Sequence, residues 1–239
     1  MKKNNSDLNT SSLSINKFRL CLLPLSHPPI EAIPQLREAT ACWEKVWLDL
    51  FDQHQIGQPL FLDQLLRQDE AAAIFTDDTC VGMILFRTVD FAALNYRRDS
   101  YFKDWSDADI SQLTFHGTRV FVASYLTVHP DFRGYSTELK FKEVLLDIMI
   151  KRFFDTRADV ISGITRRDRG IHEESYRLGA QVVREDVGYM ENHFRVDLVA
   201  FYRHRAKESQ NPQVSAFSNH LWERRTDFTN RAPTMRIAA

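Results

Sequence analysis

The sequence predicts an α/β (α+β) domain in which hairpins build antiparallel sheet and long amphipathic helices pack against it. Three observations carry that expectation. Ala71 to Thr76 and Cys80 to Val89 are apolar runs joined by a short polar turn at Asp77-Asp78, the pattern of a hairpin. From Ile33 to His54 apolar residues recur at helical spacing through Leu36, Ala39, Trp43, Val46, Trp47, Leu50 and Phe51. Val120 to Val128 is strongly strand-like, and after a turn a second helical pattern follows through Leu139, Phe141, Val144, Leu145, Ile148, Met149 and Phe153.

The other elements fall between these. Phe18 to Leu25 suits a strand that the prolines after Ser26-His27 stop. Leu60 to Gln68 is a weaker helical stretch. Asp90 to Gly117 is long for a loop and carries Phe91, Tyr96, Tyr101, Phe102 and Trp105, so it is expected to be partly ordered, its aromatics either core or the frame of an acyl pocket. Within Val120 to Val128 strict alternation puts Val120, Val122, Ser124, Leu126 and Val128 on one face and Phe121, Ala123, Tyr125 and Thr127 on the other. The helix after it keeps Lys140, Lys142, Glu143, Asp147 and Lys151 outside. Asp159 to Thr165 reads as a strand, His172 to Leu178 as a short helix closed by Gly179, and Gln181 to Val187 and Phe194 to Tyr202 as two further strands.

At 239 residues the chain holds one domain with a sizeable core, or one with ordered extensions. The expected organisation is a polar, disordered leader over 1–16, a domain over 17–204, and a mobile or docking tail over 205–239 with a short helix near Phe217 to Arg225. The formal net charge is −1, so no global field recruits nucleic acid or an anionic membrane. Cys21, Cys42 and Cys80 are scattered, odd in number and without metal-ligand spacing, which predicts buried thiols, no metal and a reducing compartment. Leu20 to Leu25 is too short for a signal-peptide core or a membrane span, and a cytoplasmic location is the expectation.

The turn His129-Pro130-Asp131-Phe132-Arg133-Gly134-Tyr135-Ser136-Thr137 joins the central strand to its helix. The first N–H groups of a helix lack internal partners and the dipole adds positive potential, so such a turn can hold an anion. Ser136 or Thr137 is placed to cap the helix, with Arg133 just before. Many glycine-containing connections of this kind bind nothing.

The run Leu126-Thr-Val-His-Pro-Asp-Phe-Arg-Gly-Tyr-Ser-Thr-Glu-Leu139 resembles the acyl-CoA-binding segment of the GNAT N-acyltransferases. That segment is a strand ending in V-x-P-x-x-R-G, then G-x-G or G-x-A, then a long helix. Val128, Pro130, Arg133, Gly134 and Leu139 fall on matching positions. Ser175-Tyr176-Arg177-Leu178-Gly179-Ala180 then resembles the family's Y-x-x-G-F helix ending. The resemblance implies a mixed, mostly antiparallel central sheet with helices on both faces, and a thioester arm entering between the central strand and a splayed neighbour at Asp159 to Thr165. It implies that backbone groups near Leu126 and Val128 bond the pantetheine amides and that N–H groups from Arg133 through Gly134, Tyr135 and Ser136 to Thr137 hold phosphate. Tyr176 is then the proton donor to the departing thiolate. Read from residue type alone, Tyr176 is equally a helix-end aromatic filling an interface.

Two positions depart from the pattern: Ser136 replaces a second Gly, and Glu138 a Gly or Ala. Side chains there narrow the room for a pyrophosphate, and a carboxylate repels it. A donor with a single phosphate is less affected, which points to phosphopantetheine on an acyl carrier protein (ACP) in preference to acyl-CoA. Within the superfamily that resembles the long-chain N-acyl amino acid synthases; the amino-terminal R-x-x-F signature of the acyl-homoserine-lactone synthases is missing. Arg166, Arg167, Arg169, Lys140 and Lys142 offer a local basic rim to an acidic carrier, or are an ordinary solvated cluster. For a general base toward a primary amine such as an amino acid, His116, His129 and Glu138 are the candidates by type and neighbourhood. The expected activity is N-acyl transfer by direct attack. The alternatives are a CoA-dependent N-acetyltransferase and a binding module that has lost catalysis.

Overall fold

The computed structural model describes residues 15–57, 59–134 and 139–230. Among them one sheet of eight strands forms the spine. β1 (Phe18–Pro24), β2 (Glu70–Thr76), β3 (Thr79–Asp90), β4 (Arg119–Val128), β5 (Val160–Arg166), β6 (Gln181–Tyr189), β7 (Phe194–Tyr202) and β8 (Thr226–Asp227) lie in the order β6-β7-β5-β4-β3-β2-β1-β8. The pairs β1–β2, β2–β3, β3–β4, β5–β7 and β6–β7 are antiparallel, and β4–β5 and β1–β8 are parallel.

Helices cover both faces. α1 (Ile33–Gln53) buries Ala39, Cys42, Trp43, Val46 and Leu50 along one stripe, against Leu23, Ala73, Phe75, Met83 and Leu85 of the sheet. α4 (Phe141–Asp155) lies on the other face over Phe86, Phe121 and Ile161. The stretch expected as a helix from Leu60 to Gln68 is helical only at α2 (Asp63–Leu66). Between β3 and β4 the aromatics are core: Phe91, Phe102 and Trp105 pack with Val120, Val122 and Leu198. A capping box between Ser106 and Asp109 starts α3 (Asp107–Leu113) there. The three cysteines are free and buried. Among the described residues no helix is long and apolar enough to cross a membrane, and no three His, Cys, Asp or Glu stand together as a metal site.

Two expectations about side-chain placement are corrected. Asp147 and Lys151 are not on the outside of α4: their relative exposures are 0% and 5%. The chain beyond 204 returns over that face as α6 (Pro212–Glu223), so α4 is enclosed between sheet and helix. Asp147 accepts from the Ser209 N–H at 2.5 Å and from the Ser218 hydroxyl, and Lys151 donates to Glu208 and to Asn219 Oδ1 at 2.6 Å. Helix periodicity alone reads these residues as solvent-facing because it cannot see a second layer.

The face alternation within β4 also fails. Phe121 and Ala123 pack toward α4, and so do Leu126 and Val128, which strict alternation puts on the opposite face. The cause is a bulge: β4 has one extra residue opposite Met83–Leu85 of β3, and Tyr125 takes a φ of 52°. Gly82 lies beside it because a Cβ there would stand 2.6 Å from the Thr127 carbonyl oxygen.

The buried network under α6 yields a prediction. Asp147→Ala removes the acceptor of a backbone N–H and a hydroxyl and leaves Lys151 short of a carboxylate, and should cost about 2–4 kcal/mol in urea denaturation. A loss below about 0.5 kcal/mol would show that the network adds no net stability.

Candidate functional site

β4 and β5 pair only over Val120–Ala123 and Val160–Gly163. Past that point β4 stays with β3 as far as Val128↔Gly82, while β5 stays with β7 as far as Arg166↔Val196. The sheet therefore opens between Ser124–Val128 and Ile164–Arg166. Among the described residues no β5 group pairs with the β4 backbone along that edge, which is the donor-arm position implied for Leu126 and Val128.

The expected anion turn stands at the end of this opening. The His129 N–H donates to the Val81 carbonyl at 2.9 Å, and Pro130–Phe132 forms a single 3-10 turn. Both ring nitrogens of His129 are engaged: Nδ1 lies 3.4 Å from the Asp131 N–H, and Nε2 lies 3.4 Å from Lys45 Nζ of α1. The ring thus ties α1 to the turn. Arg133 Nε donates back to the Val128 carbonyl at 3.1 Å. Burial lowers the Arg133 pKa, Arg169 and to a lesser degree Arg166 add to the effect and Asp49 opposes it, so the net environment of the guanidinium favours an anion. Gly134 has open space at its Cβ position. Tyr135, Ser136, Thr137 and Glu138 lie outside the described residues. α4 begins at Phe141 with Lys140 at its N-cap position, and the caps expected at Ser136 or Thr137 lie outside the described residues.

The basic rim is partly neutralised. Arg166 and Arg169 both reach Asp168, at 2.6 and 3.5 Å, and Lys140 lies 3.5 Å from Glu143. Arg167 turns into the fold. Lys142 donates to the Arg169 carbonyl at 2.9 Å, which orders the rim without neutralising its charge.

Tyr176 sits on α5 (Ile171–Arg177), against the face of β5 that α4 also covers. Its hydroxyl donates to Asp197 Oδ2 at 2.5 Å. Asp197 belongs to β7, on the side of β5 away from β4, so the phenol proton points away from the opening. Asp197 is fully buried and also accepts from Arg167 Nε and the Asp186 N–H, each at 2.8 Å. Burial opposes its ionisation, but these three donors outweigh burial and hold its carboxyl below the usual range. Tyr176 is correspondingly held protonated, by burial and then by that carboxylate. His116 is also remote from the opening: it packs against Tyr202 and His204, with ring centroids 4.9 and 4.8 Å away, beside a surface cavity of about 400 Å³.

On the α1 face of the opening the structure gathers residues that sequence reading left as core. The Tyr125 ring stands 5.1 Å from Trp47, and its hydroxyl donates to Gln64 Oε1 at 2.9 Å. Trp47 Nε1 donates to Thr127 Oγ1 at 3.0 Å. The Tyr101 hydroxyl donates to the Ser162 carbonyl and receives the Ser162 hydroxyl at 3.1 Å. Tyr189 packs at the end of β6 in a cluster with Leu50, Trp47 and Ile164. For Tyr125 the sequence carries no signal, since its strand reads as regular alternation. For Asp197 the signal was a lone acid in the apolar run Phe194 to Tyr202.

Comparison of the sequence with family models and with curated proteins finds no match in either. Solved structures do match. FeeM, an N-acyl amino acid synthase from uncultured soil microbes, is 13% identical with a TM-score of 0.52, the match covering 80% of this chain and 96% of that one. A mosquito arylalkylamine N-acetyltransferase (like 5b) is 14% identical with a TM-score of 0.50, over 77% of this chain and 98% of the other. At such identities the likeness is one of fold. The chain has the GNAT fold.

Two outcomes follow from the Tyr176–Asp197 pair. Tyr176→Phe should destabilise the protein by about 1–3 kcal/mol in chemical denaturation, because a buried carboxylate oxygen loses its donor. An unchanged midpoint would mean that water replaces the hydroxyl. In alkali, Tyr101, Tyr125, Tyr176 and Tyr189 all hold their protons above the ordinary tyrosine pKa, chiefly through burial. The unfolded chain ionises first, so stability is unaffected below about pH 10 and falls as pH rises above it. Tyrosinate absorbance should then lag and rise together with loss of structure. A smooth titration with the fold intact would contradict this.

Proposed function

We propose that the chain is an N-acyltransferase that moves an acyl group from a phosphopantetheine thioester to a primary amine by direct attack. The observation that carries the proposal is the opening between Ser124–Val128 and Ile164–Arg166, with Arg133 at its end. An extended arm with amide groups can bond the free β4 edge there, while its phosphate meets a guanidinium that has no carboxylate partner among the described residues. The extra β4 residue at Tyr125 turns backbone away from the β3 ladder at mid-opening, where a thioester carbonyl could take a hydrogen bond. The amine attacks the carbonyl carbon, the C–N bond forms, the C–S bond breaks and the thiol leaves. Leu126, Val128, Arg133 and Gly134, with Tyr135, Ser136 and Thr137, are the proposed donor-binding residues, and Glu138 and His129 the candidate bases.

Tyr176 keeps its proposed acid role only if its proton leaves Asp197, and the short, fully donated pair argues against that. We favour a positioning role for Tyr176 in holding α5 to β7. The donor we favour is acyl-ACP. Support comes from Ser136 and Glu138 in the sequence and from Arg133, Arg169 and Lys142 near the turn on a chain of net charge −1. Acetyl-CoA is the alternative donor. The arrangement of Tyr176 also favours, as a second reading, a thioester-binding module without turnover.

Native mass spectrometry of the protein with a mixed pool of acyl-CoA and acyl-ACP, followed by thiol-release assays, separates these readings. Binding with release of thiol to an added amine is the expected outcome. Binding without release would select the binding module, and no binding of either donor would refute the proposal. Arg133→Gln should weaken donor binding roughly tenfold, with less dependence on salt than the wild type.

A further inference from the structure

The α1 face of the opening holds three phenols, and they differ in one respect. The Tyr101 hydroxyl is spent on Ser162 and the Tyr125 hydroxyl on Gln64 Oε1. The Tyr189 ring packs with Trp47 and Ile164, electrostatically within reach of the other two phenols, and its hydroxyl has no protein partner among the described residues. The side chain is only partly exposed, so this hydroxyl lines a recess of the protein and keeps an unspent donor for whatever enters it. Its surroundings belong to the opening. Ile164 is the first β5 residue past the last pair with β4, and Trp47 touches both Tyr125 and Thr127. The phenol is also held in place: β6 pairs with β7 as far as Tyr189↔Phe194, and Met190, Glu191 and Asn192 all take positive φ in the tight turn that follows.

We propose that the Tyr189 hydroxyl is a specificity contact for the acceptor, donating a hydrogen bond to an oxygen atom that the amine carries. The acceptor class is then amines bearing a carboxylate, carbonyl or hydroxyl oxygen, in preference to plain alkylamines. This rests on the acyltransferase reading and adds the acceptor class to it. Charge does not make the selection: Asp104 faces Tyr189, while Asp63 and Arg67 both bear on Tyr125 with opposite signs. The selection comes from a directional O–H group, which favours an oxygen partner over a methylene whatever the ligand's charge.

The test uses the full chain with whichever thioester it turns over, and a matched series of acceptors: a linear alkylamine and the amino alcohol, amino amide and amino acid of the same chain length. The wild type should prefer the oxygen-bearing members. Tyr189→Phe should raise their KM roughly 10- to 100-fold, with kcat changed little at any pH, and leave the alkylamine unaffected. Equal use of the alkylamine by the wild type, or an unchanged KM in Y189F, would overturn the proposal while leaving the acyltransferase reading intact. A folded wild type that releases no thiol with any thioester and acceptor would instead refute that reading. The acceptor comparison needs only the wild type, so it decides the matter even if Y189F does not fold.

Discussion

One extra residue in β4 governs how the two halves of this molecule meet. The bulge at Tyr125 re-aims the strand so that Leu126 and Val128 join the α4 core while Tyr125 and Thr127 turn to α1. It also lies just past Ala123, the last β4 residue that pairs with β5, with Ser124 between them. A regular strand would continue the parallel ladder and close the sheet. Holding a tyrosine at a φ of 52° costs about 1–3 kcal/mol, and the aromatic contacts with Trp43 and Trp47 and the Gln64 hydrogen bond are what hold it there. Backbone strain at the centre of a sheet, next to the point where two of its strands part, is a usual mark of a site.

Two buried carboxylates fix the frame around that interruption. Asp197 links β7 to α5 and to the loop of Arg167, so the β5 side of the opening is tied from behind. Asp147 links α4 to the returning C-terminal segment. Each is fully buried and each is surrounded by donors, so loss of one donor leaves an oxygen short of a partner in a place bulk water does not reach. Substitutions at these positions change the shape of the opening without touching anything bound in it.

Local pattern revealed the hairpin, the two long helices and the strand–turn–helix, because each is written in residues close along the chain. The resemblance located the opening, since a strand ending before Pro130 with Arg133 and Gly134 is a local motif. What escaped was decided by partners far away in sequence. Tyr125 reads as an ordinary alternating residue until the register against Met83 and Leu85 is known. Tyr176 reads as a proton donor or as an interface aromatic until Asp197 stands 2.5 Å from it. Asp147 and Lys151 read as surface until α6 covers them, and Tyr189 had no local feature that marked it.

β8 brings a different consequence. β1 is a strand of mostly buried apolar residues, yet among the described residues its outer side is paired only at Cys21↔Thr226 and Leu22↔Asp227, with Phe228 N–H adding one bond to Leu22. That short parallel strand is a selvedge on a fabric that would otherwise fray or be sewn to another piece. A chain ending before Thr226 would keep the opening and its residues, but it would offer neighbouring copies an apolar strand edge. β8 thus bears on what the sheet edge can join more than on the shape of the opening.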